Sequence, residues 1–454
     1  MCYIVFEVLE MKLELEPNSN YVKNGKFDQY EALKSVGVKA AVCFKEAVDN
    51  KPISPQDIRN SESAAVLINR GLNTILSDHT TPSEHQVISL ELTGIPKILC
   101  MILNNEHQYT ADERSLRYTE VEPNDYITEL EVKLYNKWLR ILEDLITKQM
   151  WNFYTKYNKN EKLAKKAIHK IAQENARYMV SVFMPTTITY TVPWIQLNKI
   201  INYMDRIINE PLNELEQLLI PHLKEFINLC IEKNVIITKN SIYEVANNND
   251  EVKEKIYKTH PEIQSYLGNN DFIYKNNKSV DLSLFAYRNK FSAINNDNEY
   301  GYNVSYNNYE SLACLAQEQR HRTIDCEMTI SDYYASYTPL ILESSKDLIK
   351  EWQKDMLLVE KVYPQGQLVK VNRTMSVKNM LKFVAQERAC DMAQLEIERV
   401  YTHDIIPNVY NGLIQNNHEN LAETIKPYVK RLRCAFPGYN CPTPCHHPRI
   451  DRKI

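Results

Sequence analysis

Glycine is scarce in this 454-residue sequence, at 9 residues, while Asn, Lys, Tyr and Ile abound. That skew reads as base bias in the gene and says nothing of function. Net charge is also nearly absent: 54 Lys and Arg stand against 58 Asp and Glu, for a formal charge of -4. Such a balance removes the electrostatic argument for nucleic-acid binding and leaves room for a local basic pocket around a small phosphorylated ligand. No stretch approaches the roughly 20 apolar residues that span a bilayer, so no membrane association is expected. The apolar start Met1–Phe6 runs straight into Glu7, Glu10 and Glu14, which reads as a strand and not a signal peptide. Ten cysteines without an export signal imply reduced thiols and a cytoplasmic location. What is present is globular material, 44% hydrophobic and 25% charged, enough for two or three domains.

Two segments follow one design. In the first, Ile88, Leu90 and Leu92 alternate as on a strand, Gly94-Ile95-Pro96 follows, and a short helix over 97–103 ends in Asn104-Asn105-Glu106-His107. In the second, strand-like 303–306 leads to a helix through Leu312, Leu315 and Ala316, which ends in Gln317-Glu318-Gln319-Arg320-His321-Arg322. Helical blocks follow at 197–219 and 376–400. An Asn-rich stretch at 247–277 marks the join. The expected organisation is a first copy over 1–240, with long charged helices at about 128–175 forming an arm or an interface, a second copy over 241–425, and a Cys/Pro-rich tail over 426–454. The expected fold class is α+β: twisted antiparallel sheet with packed helices, duplicated as a pseudo-dimer.

Arg320-His321-Arg322 offers two guanidiniums around an imidazole, a set suited to phosphate or pyrophosphate. A solvated helix end is the plainer reading of the triplet alone. Its company is more specific. Gln317 stands three residues before it, and Arg388-Ala389-Cys390-Asp391-Met392-Ala393-Gln394-Leu395-Glu396-Ile397 stands downstream. The first half carries His79-Thr80-Thr81-Pro82-Ser83-Glu84-His85, then Glu113-Arg114-Ser115-Leu116-Arg117-Tyr118, then Ala176-Arg177. Together the segments resemble the flavin-dependent thymidylate synthases, whose signatures read H-x-T-P-x-E-H, Q-x-x-R-H-R, E-x-S-x-R-Y, A-R-x-x-L-P and R-x-x-x-x-A-Q-x-E-I. The resemblance is divided between the halves. The first holds Asn105-Glu106-His107 where the Arg-His-Arg is expected, and the second lacks the H-x-T-P-x-E-H and the Arg-Tyr, with Glu360 or Lys361 at the Ala-Arg arginine.

The resemblance implies methylation of dUMP at C5, with FAD as cofactor and NADPH and 5,10-methylenetetrahydrofolate as co-substrates, without an enzyme cysteine nucleophile. Carried over by motif position, Arg320, His321, Arg322, Thr81 and Glu84 would hold FAD. Gln317, Glu113, Ser115, Arg117, Arg177 and Arg388 would hold dUMP. Arg388, Ser115 and His79 would serve catalysis. The family assembles its site between subunits of a homotetramer, so each copy would supply one wall, and a homodimer of fused chains would mimic the tetramer. Hydroxymethylation at C5 and a non-catalytic nucleotide-binding scaffold stand as alternatives. The tail residues Cys434, Cys441, Cys445, His446 and His447 lack a zinc-ligand spacing, and no metal is expected.

Overall fold

The computed structural model describes residues 11–17, 20–45, 53–77, 81–115, 117, 121, 127–236, 273–276, 302–330, 334–415, 417, 419–442 and 444–445. The chain divides into two compact units, each discontinuous in sequence. Residues 1–114 and 185–260 form one, and 115–184 with 261–454 form the other. The copies expected at 1–240 and 241–425 follow chain order, whereas compactness cuts across it: the helices of 128–175 go with the second sheet.

The first unit carries a four-stranded antiparallel sheet of β1 (Lys12–Leu15), β2 (Val87–Pro96), β3 (Thr110–Glu113) and β4 (Pro185–Pro193), in the order β1-β2-β4-β3. The second carries β5 (Ile273–Asn276), β6 (Tyr302–Ser311), β7 (Asp325–Thr329) and β8 (Leu368–Ser376), in the order β5-β6-β8-β7. Order and connections are the same. β2 and β6 each span 10 residues and lead directly into a 7-residue helix, α1 (Lys97–Leu103) and α2 (Leu312–Glu318) respectively. β4 and β8 each span 9 residues and also run directly into a helix. One difference is a bulge in β2 at Gly94, whose φ of 75° favours glycine.

Along β4 and β8 buried residues alternate with more open ones, as expected of a sheet with one covered face. In the first unit Ile88, Leu90 and Leu92 face the core. Beyond the sheet, the helices Gln29–Phe44 and Ala64–Leu76 meet backbone to backbone. A Cβ at Gly37 would lie 1.9 Å from the Leu67 carbonyl oxygen, and one at Gly71 2.1 Å from that of Leu33. Two of the nine glycines therefore set this crossing.

In the second unit the expected charged arm is two helices packed into a core, α3 (Glu129–Tyr157) and α4 (Glu161–Ala176). Their apolar stripe carries Trp138, Leu142 and Ile146 against Trp352 of the helix Lys346–Leu358. The two indoles meet edge to face at 4.9 Å. The segments just before β4 and β8 also pair. Ser181, four residues before β4, forms an antiparallel bridge with Pro364, four residues before β8.

Two helical blocks are interrupted where the sequence reads as continuous. The 197–219 block breaks into Trp194–Asn209 and Glu214–Glu232, the second capped by Asn213. The 376–400 block breaks after Arg388 and resumes at Leu395–Arg399, with π turns at Met380–Val384 and Val400–Ile405. Among the described residues, no helix is long and apolar enough to cross a membrane. The apolar N-terminal strand expected at 1–6 and the Asn-rich join, apart from β5, lie outside the described residues.

Candidate active site

Four local devices bring the sequence motifs together in the second unit. Ser311 caps α2 through its hydroxyl, and the helix ends at Glu318, so Arg320, His321 and Arg322 fall on the turn that leaves it. The α4 helix ends at Ala176, and Arg177 opens a 3-10 turn. A capping box at Thr128 buries Glu131, whose other oxygen accepts from Ser181 N at 2.8 Å and fixes the chain just past Arg177. The break after Arg388 leaves residues 389–394 as a non-helical turn beside α2.

Arg388 donates from Nε to His321 Nε2 at 2.6 Å and from Nη2 to the Gln317 carbonyl at 2.8 Å. A guanidinium can only donate, so His321 accepts at Nε2 and carries its proton on Nδ1. Arg177 is buried and donates from Nη2 to Gln394 Oε1, which also accepts from Gln317 Nε2. Gln394 Nε2 donates to the Tyr178 hydroxyl, and that hydroxyl donates to Glu396 at 2.6 Å. Arg117 pairs with Glu174 at 2.9 Å, donates from its side chain to the Met392 carbonyl at 3.2 Å, and donates its backbone N–H to the Ser115 hydroxyl oxygen at 3.3 Å. Burial lowers the pKa of Arg177 and of Arg388, and the Arg117 charge pushes both in the same direction. Three guanidiniums from three elements thus share one neighbourhood.

Two buried polar atoms in this cluster have no partner, the Arg177 Nε donor and the Gln317 Oε1 acceptor. A buried group left unpaired is costly, which favours a ligand that offers one acceptor and one donor.

Behind α2 lies a second polar cluster with no counterpart among the sequence expectations. Arg373 of β8 donates to Glu318 at 3.0 and 2.7 Å, to Glu310 at 2.9 Å and to Asn308 at 2.5 Å. Tyr401 donates to the other Glu318 oxygen. The Arg373, Glu310 and Glu318 side chains are fully enclosed. Burial, with Glu318 alongside, holds the Glu310 carboxyl well above the usual range. The sequence signal for these residues is weak: Glu318 follows Gln317, but Arg373 is 55 residues away.

The structure thus brings Ser115, Arg117, Arg177, Gln317, Arg320, His321, Arg322 and Arg388 into one compact unit. Thr81, Glu84 and Glu113 belong to the other. Thr81 and Glu84 lie in the short helix Thr81–Glu84, with Thr81 exposed. The Glu113 carboxylate, nearly fully buried, is held by Lys97 at 2.5 Å. His79 lies outside the described residues, as do His446 and His447 of the tail. Cys434 is exposed, and Cys441 and Cys445 are partly so. No group of His, Cys, Asp or Glu among the described residues could hold a metal ion. Counted from the first residue of each short helix, Asn105, Glu106 and His107 after α1 occupy the places that Arg320, His321 and Arg322 occupy after α2.

Residues 28–226 match the family model of the thymidylate synthase complementing proteins, a span just short of half the chain. No curated protein sequence matches. Among solved structures, the chain is similar to thymidylate synthase X from Helicobacter pylori, crystallised with FAD and dUMP. The identity is 14%, the match covers 51% of this chain and 99% of that one, and the TM-score is 0.29.

Proposed function

We propose that this chain, whose residues 28–226 belong to the thymidylate synthase complementing protein family of flavin-dependent thymidylate synthases, methylates dUMP at C5 at one composite site. Residues 115–177 supply one wall and residues 317–394 the other. The observation that carries this reading is the clustering of Arg117, Arg177 and Arg388. Three guanidiniums converge there, with Glu174 paired to Arg117, Glu396 near Arg177 and Glu387 near Arg388, and such a cluster of donors suits a phosphate monoester. The unpaired Arg177 Nε and Gln317 Oε1 support a pyrimidine as the remainder of the ligand, since a uracil edge offers a carbonyl acceptor beside an N–H donor.

The same division follows the repeated topology. Within each copy, the positions lost are those that the other retains. Duplication of one domain, with fusion of the copies that meet at Ser181 and Pro364, accounts for both facts. Two such chains would supply four domain equivalents, so a mass near twice 53.2 kDa is expected in light scattering.

The donor set also fits FAD. Arg320 and Arg322 are half-buried and flank the buried His321, a geometry suited to pyrophosphate. Bound flavin supplies the reducing equivalents drawn from NADPH, and methylenetetrahydrofolate supplies the carbon. The chain's own part is positional and electrostatic. Arg117 and Ser115 hold the phosphate end. Arg177 and Gln317 orient the base, and Arg388 offers positive charge where negative charge develops on its carbonyls. By motif position alone, Thr81, Glu84 and His79 would be assigned to the flavin and Glu113 to the substrate.

An FAD titration followed by absorbance and fluorescence, without and with dUMP, tests the reading. Saturable binding and a spectral shift on adding dUMP are expected. In a folded sample, absence of FAD binding favours a non-catalytic scaffold. Ser115→Ala and Arg320→Ala should each weaken the dUMP-induced flavin shift; independent effects argue against a shared site.

A further inference from the structure

Every hydrogen bond between Arg177 and Glu396 runs in one direction. Arg177 and Gln317 donate to Gln394 Oε1, Gln394 Nε2 donates to the Tyr178 hydroxyl, and Tyr178 donates to Glu396 Oε2 at 2.6 Å. Glu396 ends the chain as an acceptor, held from the far side by Ser311 through its N–H at 2.8 Å and its hydroxyl at 2.6 Å. An amide can face either way. Here the Tyr178 oxygen is what rewards the orientation that turns the Gln394 carbonyl toward Arg177 and Gln317. The reversed amide would aim two N–H donors at a guanidinium that can only donate.

Tyr178 is itself rigidly seated. Gly366 donates its N–H to the Tyr178 carbonyl at 3.0 Å, and a Cβ at Gly366 would stand 2.8 Å from the Tyr178 Cβ. The ring packs on Tyr337 at 5.0 Å. Burial holds its pKa far above the ordinary tyrosine value, so the hydroxyl keeps its proton and remains a donor to Glu396.

We propose that Tyr178 is a positioning residue for nucleotide binding: through the Gln394 amide it fixes Arg177 and Gln317, one from each wall, in the arrangement that receives the base. This rests on the dUMP-binding reading above. Arg320 and Arg322 take no part in the relay, so the effect falls on dUMP and not on FAD.

The test uses the full chain. Tyr178→Phe keeps the ring and removes the oxygen. Its affinity for dUMP should fall about 10-fold, seen also as a rise in KM larger than any fall in kcat, with FAD affinity within about twofold of the parent. Adding Gln394→Glu supplies a carboxylate whose two oxygens both accept, so its orientation no longer matters. The double variant should regain most of the lost dUMP affinity, a rescue that a general packing defect does not permit. Unchanged dUMP affinity in Tyr178→Phe, parallel loss of FAD, or no recovery in the double variant overturns the proposal. A parent chain that fails to bind dUMP at all overturns the earlier reading instead.

Discussion

The sixth residue of β4 is Tyr190, and the sixth residue of β8 is Arg373. Both sit on the covered face of a sheet with the same strand order, and both reach the last residue of the short helix that follows the second strand. Tyr190 donates to the Leu103 carbonyl at 2.6 Å and stacks on Tyr109. Arg373 binds the Glu318 carboxylate, with Glu310 and Asn308 alongside. One sheet solves the position with an aromatic ring and a single hydrogen bond. The other encloses a cation and two carboxyl groups, a solution that costs desolvation and seldom improves stability over an apolar one. The costly version lies behind the helix that leads into Arg320-His321-Arg322. The cheaper version lies behind Asn105-Glu106-His107. Buried charge thus accompanies the helix end that carries two arginines, and is missing behind the one that carries none.

The largest expected effect tests this contrast at the helix ends. Joint replacement of Arg320 and Arg322 by Ala should weaken FAD binding at least ~100-fold, from two lost charge-assisted contacts of about 1.5–3 kcal/mol each. Asn105→Ala with His107→Ala should change it less than about twofold. Equal losses from both pairs, read by flavin fluorescence, would break the comparison.

Next comes the enclosed charge. Arg373→Met should cost about 3–5 kcal/mol in urea denaturation, because it strands two buried carboxyl groups. Tyr190→Phe should cost about 1 kcal/mol. Similar values for the two would mean that the cluster is as cheap as a phenol.

Bulk sharpens the contrast from the other unit. Gly37→Ala or Gly71→Ala should destabilise by about 1–3 kcal/mol, since the added methyl meets a carbonyl of the facing helix. The smallest effect concerns pH. Glu310 holds its proton in the folded chain above the ordinary glutamate value of 4.5, where the unfolded chain has released it. Stability from this group is present below that value and is lost as pH rises. Glu310→Gln should therefore raise the melting midpoint at pH 7 to 8, and the gain should vanish toward pH 4. A gain that instead grows on acidification contradicts the assigned proton.

The sequence made some of this readable and hid the rest for physical reasons. Ser115, Arg117 and Arg320-His321-Arg322 stand in short local patterns, so they could be singled out from their neighbours. The turn that ends α2 was visible as a change of composition. The breaks at 210–213 and 389–394 were not, because apolar spacing continues across both and tertiary contacts decide where the helices stop. Gln394 and Glu396 lay within a quoted motif, yet their roles depend on Tyr178, over 200 residues earlier. Arg373 and Glu318 are joined only by the fold, since no periodicity relates a strand to a helix 55 residues before it.

The bridge between Ser181 and Pro364 carries a last consequence. In a dimer of identical subunits every substitution is made twice, and a residue on the axis must tolerate its own image. Ser181 and Pro364 are instead two separately encoded positions of one chain. Serine can oppose proline, Trp138 can take Asp355 as its acceptor while Trp352 takes the Tyr337 carbonyl, and Tyr178 can fill the space that Gly366 leaves. A single substitution therefore reshapes one side of this contact and spares the other.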